Sequence, residues 1–141
     1  LKTVAAILIA KYILKGEPNA VFIAGLGAVL GHNFPLYFKF KGGKGVSCVC
    51  GAIFLTYTWQ AVVCYLLTIA IIALTKYVSL GSICLVSMFA VAVTLTEAVT
   101  GFPHWVAIPW AFIVAALVIW RHHENIGRLL KGTERKLGEK K

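Results

Sequence analysis

The chain has 141 residues, of which 60% are hydrophobic, and a formal net charge of +9 at pH 7. Its mean hydropathy is +0.84, and between Gly45 and Arg121 the only Lys, Arg, Asp or Glu residues are Lys76 and Glu97. This charge is too sparse to cover the surface of a soluble domain, and the basic excess is typical of membrane-protein loops rather than of nucleic-acid binding.

The apolar blocks predict an all-α, polytopic transmembrane helical bundle with about six membrane helices. We interpret residues 1–141 as a single membrane-embedded domain that carries a basic tail over 121–141. The first block covers 3–14 and ends in a turn-prone string at 15–19. The chain opens without Met or a signal-peptide pattern, so we expect it to lack an upstream helix. A second block covers 20–36.

A loop rich in lysine and glycine follows, with the sequence FKFKGGKG at residues 38–45. Lys44 is predicted to contact phosphate directly, because glycines let backbone N–H groups face an oxyanion and lysine adds a point charge. Lys39 and Lys41 contact either phosphate or lipid headgroups. His32, just before this loop, either supports the site or ties the loop to a neighbouring helix. The predicted backbone donors are Gly42, Gly43 and Gly45.

The third apolar stretch, residues 46–75, is too long for one crossing, since ~20 residues span the hydrocarbon. Its middle, at 56–60, is polar and aromatic, which is typical of a hairpin at the interface. We therefore predict two helices, at 46–56 and 60–75. This division gives an even number of membrane crossings between the lysine loop and the basic tail. Both segments can then face the cytoplasm, as the positive-inside rule predicts.

Two further blocks, at 78–99 and 105–120, complete the bundle. Glu97 lies near the predicted outer interface, where we expect a snorkelling or packing role. Ser79 and its neighbouring serines are expected to form interhelical hydrogen bonds. The cysteines lack metal-ligand spacing and are expected to be small buried residues, so neither a metal nor another cofactor is predicted.

Three residues of the tail recur at helical spacing and share one helix face: His122, Asn125 and Arg128. His122 is suited to hydrogen-bond a phosphate or to assist proton transfer. Asn125 is suited to orient a substrate, and Arg128 to clamp a phosphate in bidentate fashion. The alternative is a juxtamembrane helix that binds lipid headgroups. The residue pattern alone does not separate His122 from His123.

Two segments, GHNFPLYFKFKGGKGV at 31–46 and RHHENIGRLLKGTE at 121–134, closely resemble signatures of the bacterial acyl-phosphate:glycerol-3-phosphate acyltransferases. They occur in the family's order, and the resemblance runs from about Lys2 to Glu134. It implies an inner-membrane enzyme of seven helices, about six of them in this chain. The family also carries a Ser-Gly-Asn loop with a nearby Arg, which would precede Leu1.

The resemblance implies a reaction as well. A fatty acyl group passes from acyl phosphate to the sn-1 hydroxyl of glycerol 3-phosphate, giving lysophosphatidic acid and phosphate at the cytoplasmic face. The implied partners are these two substrates and membrane lipids, without metal or nucleic acid. The family pattern selects His122, and with Lys44 and Asn125 it forms the expected catalytic set. Cys48 stands where Thr is common, and His123 where Arg is common.

A membrane transporter or channel subunit for phosphorylated or anionic solutes is the alternative function. Such a protein is expected to carry polar groups near the middle of the membrane. This chain instead collects its cations at one predicted face, which favours chemistry at the membrane interface.

Overall fold

A computed structural model describes residues 2–13, 18–34, 44–101 and 104–139, and it contains no strand within those ranges. The described residues form seven helices: α1 Lys2–Ile13, α2 Pro18–Asn33, α3 Val46–Thr56, α4 Thr58–Thr75, α5 Val78–Thr100, α6 Ala107–Arg121 and α7 His123–Leu130. The predicted all-α fold is confirmed.

The long apolar stretch divides where its polar middle predicts. Tyr57 alone separates α3 from α4, and its φ of −133° and ψ of 74° take it out of the helical region. The hydroxyls of Thr56 and Thr58 donate to carbonyls one turn earlier in α3. The chain thus reverses without leaving these hydroxyls unpaired.

Two of the described helices, α4 and α5, are long and apolar enough to cross a membrane. The helices α1, α3 and α6 are apolar but shorter. The number of membrane crossings therefore stays a prediction.

An aromatic cluster forms the centre of the core. Phe22 of α2 lies 5.3 Å from Trp110 of α6, measured between ring centroids, and Phe89 of α5 lies 6.3 Å from the same Trp110 ring. All three side chains are at most 4% exposed. Because one ring from each of three helices meets here, burial of this cluster fixes the mutual positions of α2, α5 and α6.

The α4–α5 hairpin is packed tightly at its turn. A Cβ atom on Gly81 would lie 2.4 Å from Ile72 Cγ1, so only glycine permits this approach of the two helices. Lys76 closes α4 in the left-handed region with φ 64°, and its N–H donates to the Ile72 carbonyl. This turn sets the position of Ser79 in the first turn of α5.

The tail returns to the bundle after α7. The Leu137 N–H donates to the Lys76 carbonyl at 2.7 Å, and the Lys136 ammonium lies 5.8 Å from the centre of the Tyr77 ring. We call this end, with the start of α3, the α4–α5 turn and α7, the site end. The α3–α4 junction and the α5–α6 turn form the far end.

Candidate active site

Lys44 connects the two motifs that are far apart in sequence. Its Nζ donates to Asn125 Oδ1 at 2.7 Å across a separation of 81 residues. The next residue, Gly45, caps α3 with φ 74°, a conformation that glycine adopts without strain. The lysine loop and the basic tail therefore meet at the site end, as the sequence predicts for Lys44 and Asn125.

Asn125 is the centre of a buried polar network. Its Nδ2 donates to Ser79 Oγ at 2.7 Å and to Glu134 Oε1 at 2.6 Å, while its Oδ1 accepts from Lys44. The residue is 4% exposed. Since every polar group of this amide has a partner, its orientation is fixed.

Glu134 brings a carboxylate into the same network. Ser79 Oγ donates to its Oε1, and Arg128 Nε donates to its Oε2 at 2.7 Å. Burial raises the pKa of this carboxyl, but the hydrogen bonds from Ser79, Asn125 and Arg128, with the Arg128 charge, outweigh burial and lower the pKa to about 2. Glu134 is therefore ionised at neutral pH, and it holds both Asn125 and Arg128 in place.

His122 lies immediately before α7 and is 2% exposed. Its Nδ1 lies 2.8 Å from the Val118 carbonyl. Because a carbonyl only accepts, Nδ1 carries the proton, and in the neutral ring Nε2 is free to act as a base. Burial lowers the pKa of His122, and the Lys44 charge adds to this, although the Val118 bond and Glu134 act in the opposite direction.

A cavity of about 470 Å³ opens beside this network. Arg128 and Arg135 line it together with Glu134, so that among its lining side chains two guanidinium groups face one carboxylate. The remaining lining residues are Asn125 and Thr133. An excess of fixed positive charge and several hydrogen-bond donors suit this cavity to an anion such as phosphate.

The predicted site residues fall into three groups. Lys44, Asn125 and Arg128 belong to one connected network, and the Lys44 charge acts on the neighbouring His122. The His32 side chain is exposed at the end of α2 and makes no hydrogen bond to the other described residues. Four predicted residues of the loop lie outside the described residues: Lys39, Lys41, Gly42 and Gly43. Gly45 is described as the N-cap of α3, and its role as a backbone donor stays a prediction.

Two members of the network were not predicted as site residues. Ser79 does form an interhelical bond, as expected for a serine in an apolar helix, but its partners are Asn125 and Glu134. Glu134 ends the second motif, and that position is the only sequence signal for it. Among the described residues, no group of three or more His, Cys, Asp or Glu side chains is placed to hold a metal ion.

Comparison with known proteins decides the family. The family model described as glycerol-3-phosphate acyltransferase matches residues 1–132. This chain belongs to the glycerol-3-phosphate acyltransferase family. A family member from Halalkalibacterium halodurans is 45% identical over 119 residues, which are 84% of this chain and 57% of that protein. A second, from Shouchella clausii, is 41% identical over 143 residues, covering 99% of this chain and 68% of that protein.

Two crystal structures of PlsY (YgiH), an integral membrane glycerol 3-phosphate acyltransferase, share this fold. The glycerol 3-phosphate form is 37% identical with a TM-score of 0.80, and the match covers 94% of this chain and 64% of PlsY. The lysophosphatidic acid form gives a TM-score of 0.79. This acyltransferase-family chain is therefore a membrane protein, and it spans about three fifths of the first relative and of PlsY.

Proposed function

We propose that the protein transfers a fatty acyl group from acyl phosphate to the sn-1 hydroxyl of glycerol 3-phosphate. The products are lysophosphatidic acid and inorganic phosphate. The contact between Lys44 and Asn125 carries this proposal, because it unites both cationic motifs in one site at the end of the bundle. The relatives are named for glycerol 3-phosphate, and one PlsY crystal form contains lysophosphatidic acid.

The proposed chemistry needs little covalent help from the protein. The hydroxyl oxygen attacks the carbonyl carbon of acyl phosphate, an ester bond forms, and the bond from carbonyl carbon to phosphate oxygen breaks. Neutral His122, with Nδ1 held by Val118, presents Nε2 to accept the hydroxyl proton. Lys44 and Arg128 neutralise phosphate charge, and ordered donors such as these act most strongly on charge that develops in the transition state.

The network explains how two anionic substrates can share one site. Glu134 offsets part of the cationic charge and fixes the Arg128 guanidinium through Nε. The Arg128 Nη1 lies 3.9 Å from the exposed Glu124 carboxylate, beyond hydrogen-bond distance, so the Nη groups can still donate to a phosphate. Lys44 reaches the network from the segment just before α3 and Arg128 from α7, so each substrate can meet a separate cation. Alignment of donor and acceptor is the main contribution expected from such a site.

Acyl transfer is tested with the protein as its gene encodes it, including any residues before Leu1, reconstituted in nanodiscs. Acyl phosphate and radiolabelled glycerol 3-phosphate should give labelled lysophosphatidic acid and an equal amount of phosphate. The 141-residue chain, assayed beside it, should insert in membranes with little activity, because misplacement by about 1 Å can already cost ~100-fold. Absence of product from the encoded protein would refute the proposed reaction, and equal activity would refute the need for an upstream loop.

We also propose that the protein lies in the inner membrane with its site end and C-terminus in the cytoplasm. The support is the positive-inside bias of the basic tail and of Lys44. Cysteines introduced at the exposed positions Lys136 and Lys44, with the native cysteines removed, should react only with reagents on the cytoplasmic side. A cysteine at Thr100, at the far end, should react only from outside. Labelling of Lys136 and Thr100 from the same side would contradict the orientation.

A further inference from the structure

Arg135 is a cation of the site cavity that neither the sequence motifs nor the family match includes. It follows Glu134 directly and lies beyond residue 132, where the family match ends. Its side chain is exposed and lines the cavity together with Arg128 and Glu134. The Arg135 guanidinium makes no hydrogen bond or ion pair with the other described residues, so its N–H donors are open to a ligand.

The tail is held on both sides of Arg135. On one side, the Glu134 carboxylate accepts hydrogen bonds from three side chains of the polar network. On the other side, the Leu137 N–H donates to the Lys76 carbonyl at 2.7 Å. Because the backbone is fixed at residues 134 and 137, Arg135 has a defined place beside the cavity, unlike a cation on a free terminus.

The positive charge of the cavity depends on Arg135. Among the described lining residues, Arg128 carries one positive charge and Glu134 one negative charge, and the two are hydrogen-bonded at 2.7 Å. The other lining residues, Asn125 and Thr133, are uncharged. The net charge of the lining is therefore zero without Arg135 and positive with it. An anion that enters the cavity is attracted by this excess charge.

The place of Arg135 in the chain separates the two substrates by the side from which they arrive. Acyl phosphate carries a fatty chain and reaches the site from the membrane, whereas glycerol 3-phosphate is soluble in water and enters from the aqueous phase. Arg135 lies in the exposed tail, past the last apolar helix, α6. The substrate that meets Arg135 is therefore the one that comes from water.

We propose that Arg135 selects for glycerol 3-phosphate, because its guanidinium binds the phosphate of this substrate in the cavity and does not contact acyl phosphate. This proposal rests on the proposed acyl transfer for the identity of the ligand. A guanidinium donates to two phosphate oxygens at once, and its charge attracts the anion before contact is made. Arg135 thus acts on the capture of one substrate, whereas His122 acts on the chemistry.

The decisive variant is Arg135→Gln in the encoded protein. Since the side chain is exposed and pairs with no other described residue, the thermal midpoint should not change. The dissociation constant of glycerol 3-phosphate, measured in detergent without acyl phosphate, should rise about tenfold, near the lower end of the range for a hydrogen bond to a charged group. Arg135→Lys keeps the charge without the planar fork, and its dissociation constant should rise less, about threefold.

Steady-state kinetics separate the two substrates. In Arg135→Gln, the KM for glycerol 3-phosphate should rise about tenfold, while kcat and the KM for acyl phosphate stay within about twofold, the pattern of a lost binding contact. The difference in KM between parent and variant should shrink between about 0.1 M and 1 M salt, as the Debye length falls from about 10 Å to 3 Å. A raised KM for acyl phosphate, or an unchanged KM for both substrates, would overturn the proposal.

Lys131→Gln is the matched control, since it removes an equal charge from the same end of the bundle. Lys131 is exposed just after α7 and is not one of the described residues that line the cavity. The control should leave the affinity for glycerol 3-phosphate unchanged. Equal effects of the two variants would show that only overall charge matters, and the assignment to Arg135 would be wrong. Because affinity is measured without turnover, an inactive parent protein that binds glycerol 3-phosphate would refute acyl transfer and still leave Arg135 tested.

Discussion

The two ends of the bundle both bury a carboxylate, and they satisfy it differently. At the far end, Glu97 is 1% exposed and accepts from the Tyr57 hydroxyl and, at 2.9 Å, from the His104 backbone N–H. Its hydrogen-bond donors there are uncharged. At the site end, Glu134 accepts from Arg128 as well as from Ser79 and Asn125, and Lys44 adds a second cation.

The difference separates a structural polar cluster from one that suits a ligand. Glu97 connects the α3–α4 junction to the α5–α6 turn, and its two donors leave no surplus of positive charge within the cluster. The site end has cations in excess of its carboxylate and a cavity beside them. In this protein, the burial of an acidic residue in an apolar helix does not by itself indicate a functional site. The balance of charge around the acidic residue indicates it better.

Removal of Lys44 should have the largest effect on activity. Lys44→Ala in the encoded protein should lower kcat/KM about 100- to 1,000-fold, the usual cost of losing a donor that stabilises developing charge. The variant should still fold in detergent, with its free energy of unfolding lowered by no more than about 1–3 kcal/mol, because the buried Asn125 Oδ1 loses its partner. Lys11→Ala, at an exposed lysine of the far end, is the matched control and should retain activity. Full activity of Lys44→Ala would show that Lys44 is not part of the active site.

Neutralisation of Glu134 should have a smaller effect. Glu134→Gln is expected to lower kcat/KM roughly tenfold, because a charge-assisted bond that orients Arg128 is lost. Glu139→Gln, in the exposed part of the tail, is the control. The comparison is made by steady-state kinetics with both substrates varied.

The lowered pKa of Glu134 predicts that the stability of the fold depends on pH. The pKa of Glu134 in the fold, about 2, lies below its ordinary value of 4.5. Ionised Glu134 therefore stabilises the fold fully above pH 4.5, and this contribution is lost as the pH falls from there towards 2. Thermal midpoints of the parent protein should decline over this range more steeply than those of Glu134→Gln. Parallel declines would contradict the assigned pKa.

His122 should set the acid limit of activity. Since burial lowers its pKa from the ordinary value of 6.5, the ring stays neutral, and able to accept a proton, to pH values below 6.5. The acid limb of kcat/KM against pH should therefore lie below 6.5. His123→Gln, at the exposed neighbour, should leave the limb in place. A limb above 6.5 would contradict the environment described for His122.

Removal of the Tyr57 hydroxyl should affect stability and hardly affect activity. Tyr57→Phe takes one donor from the buried Glu97 carboxylate, which should lower the free energy of unfolding by about 1–3 kcal/mol. The KM values for both substrates should stay within about twofold, because the site end is untouched. Denaturation in detergent and steady-state kinetics measure the two quantities. A large KM increase would show that the far end and the site end are coupled.

The sequence predicts the helices better than it predicts the contacts between them. Hydropathy and chain length divide the stretch at Tyr57 correctly, and residue chemistry correctly brings Lys44, Asn125 and Arg128 together. Ser79 is different, because its role depends on a left-handed turn at Lys76 and on a tail carboxylate 55 residues away. No local pattern encodes such a pairing.

Two other residues show the same limit. For Glu97 the expectation of a packing role is confirmed and that of snorkelling is wrong, since the carboxylate turns inward to Tyr57 instead of outward to water. Asn33 is a single polar residue at a helix end, where it is ordinary in sequence. Only the packing of α2 against Gly45 makes it a buried group for which the described residues offer no hydrogen-bond partner.

The returning tail has a practical consequence for anyone who trims or labels this protein. The family match ends at residue 132 and the last helix at Leu130, so a boundary there looks natural. A cut at that point would spare every described helix and still delete Glu134 and the Leu137 backbone bond to Lys76. Affinity tags and fluorescent fusions should therefore be placed beyond Leu137 and joined through a flexible spacer. A loss of function after truncation would reflect removal of part of the site, not a disturbed membrane insertion.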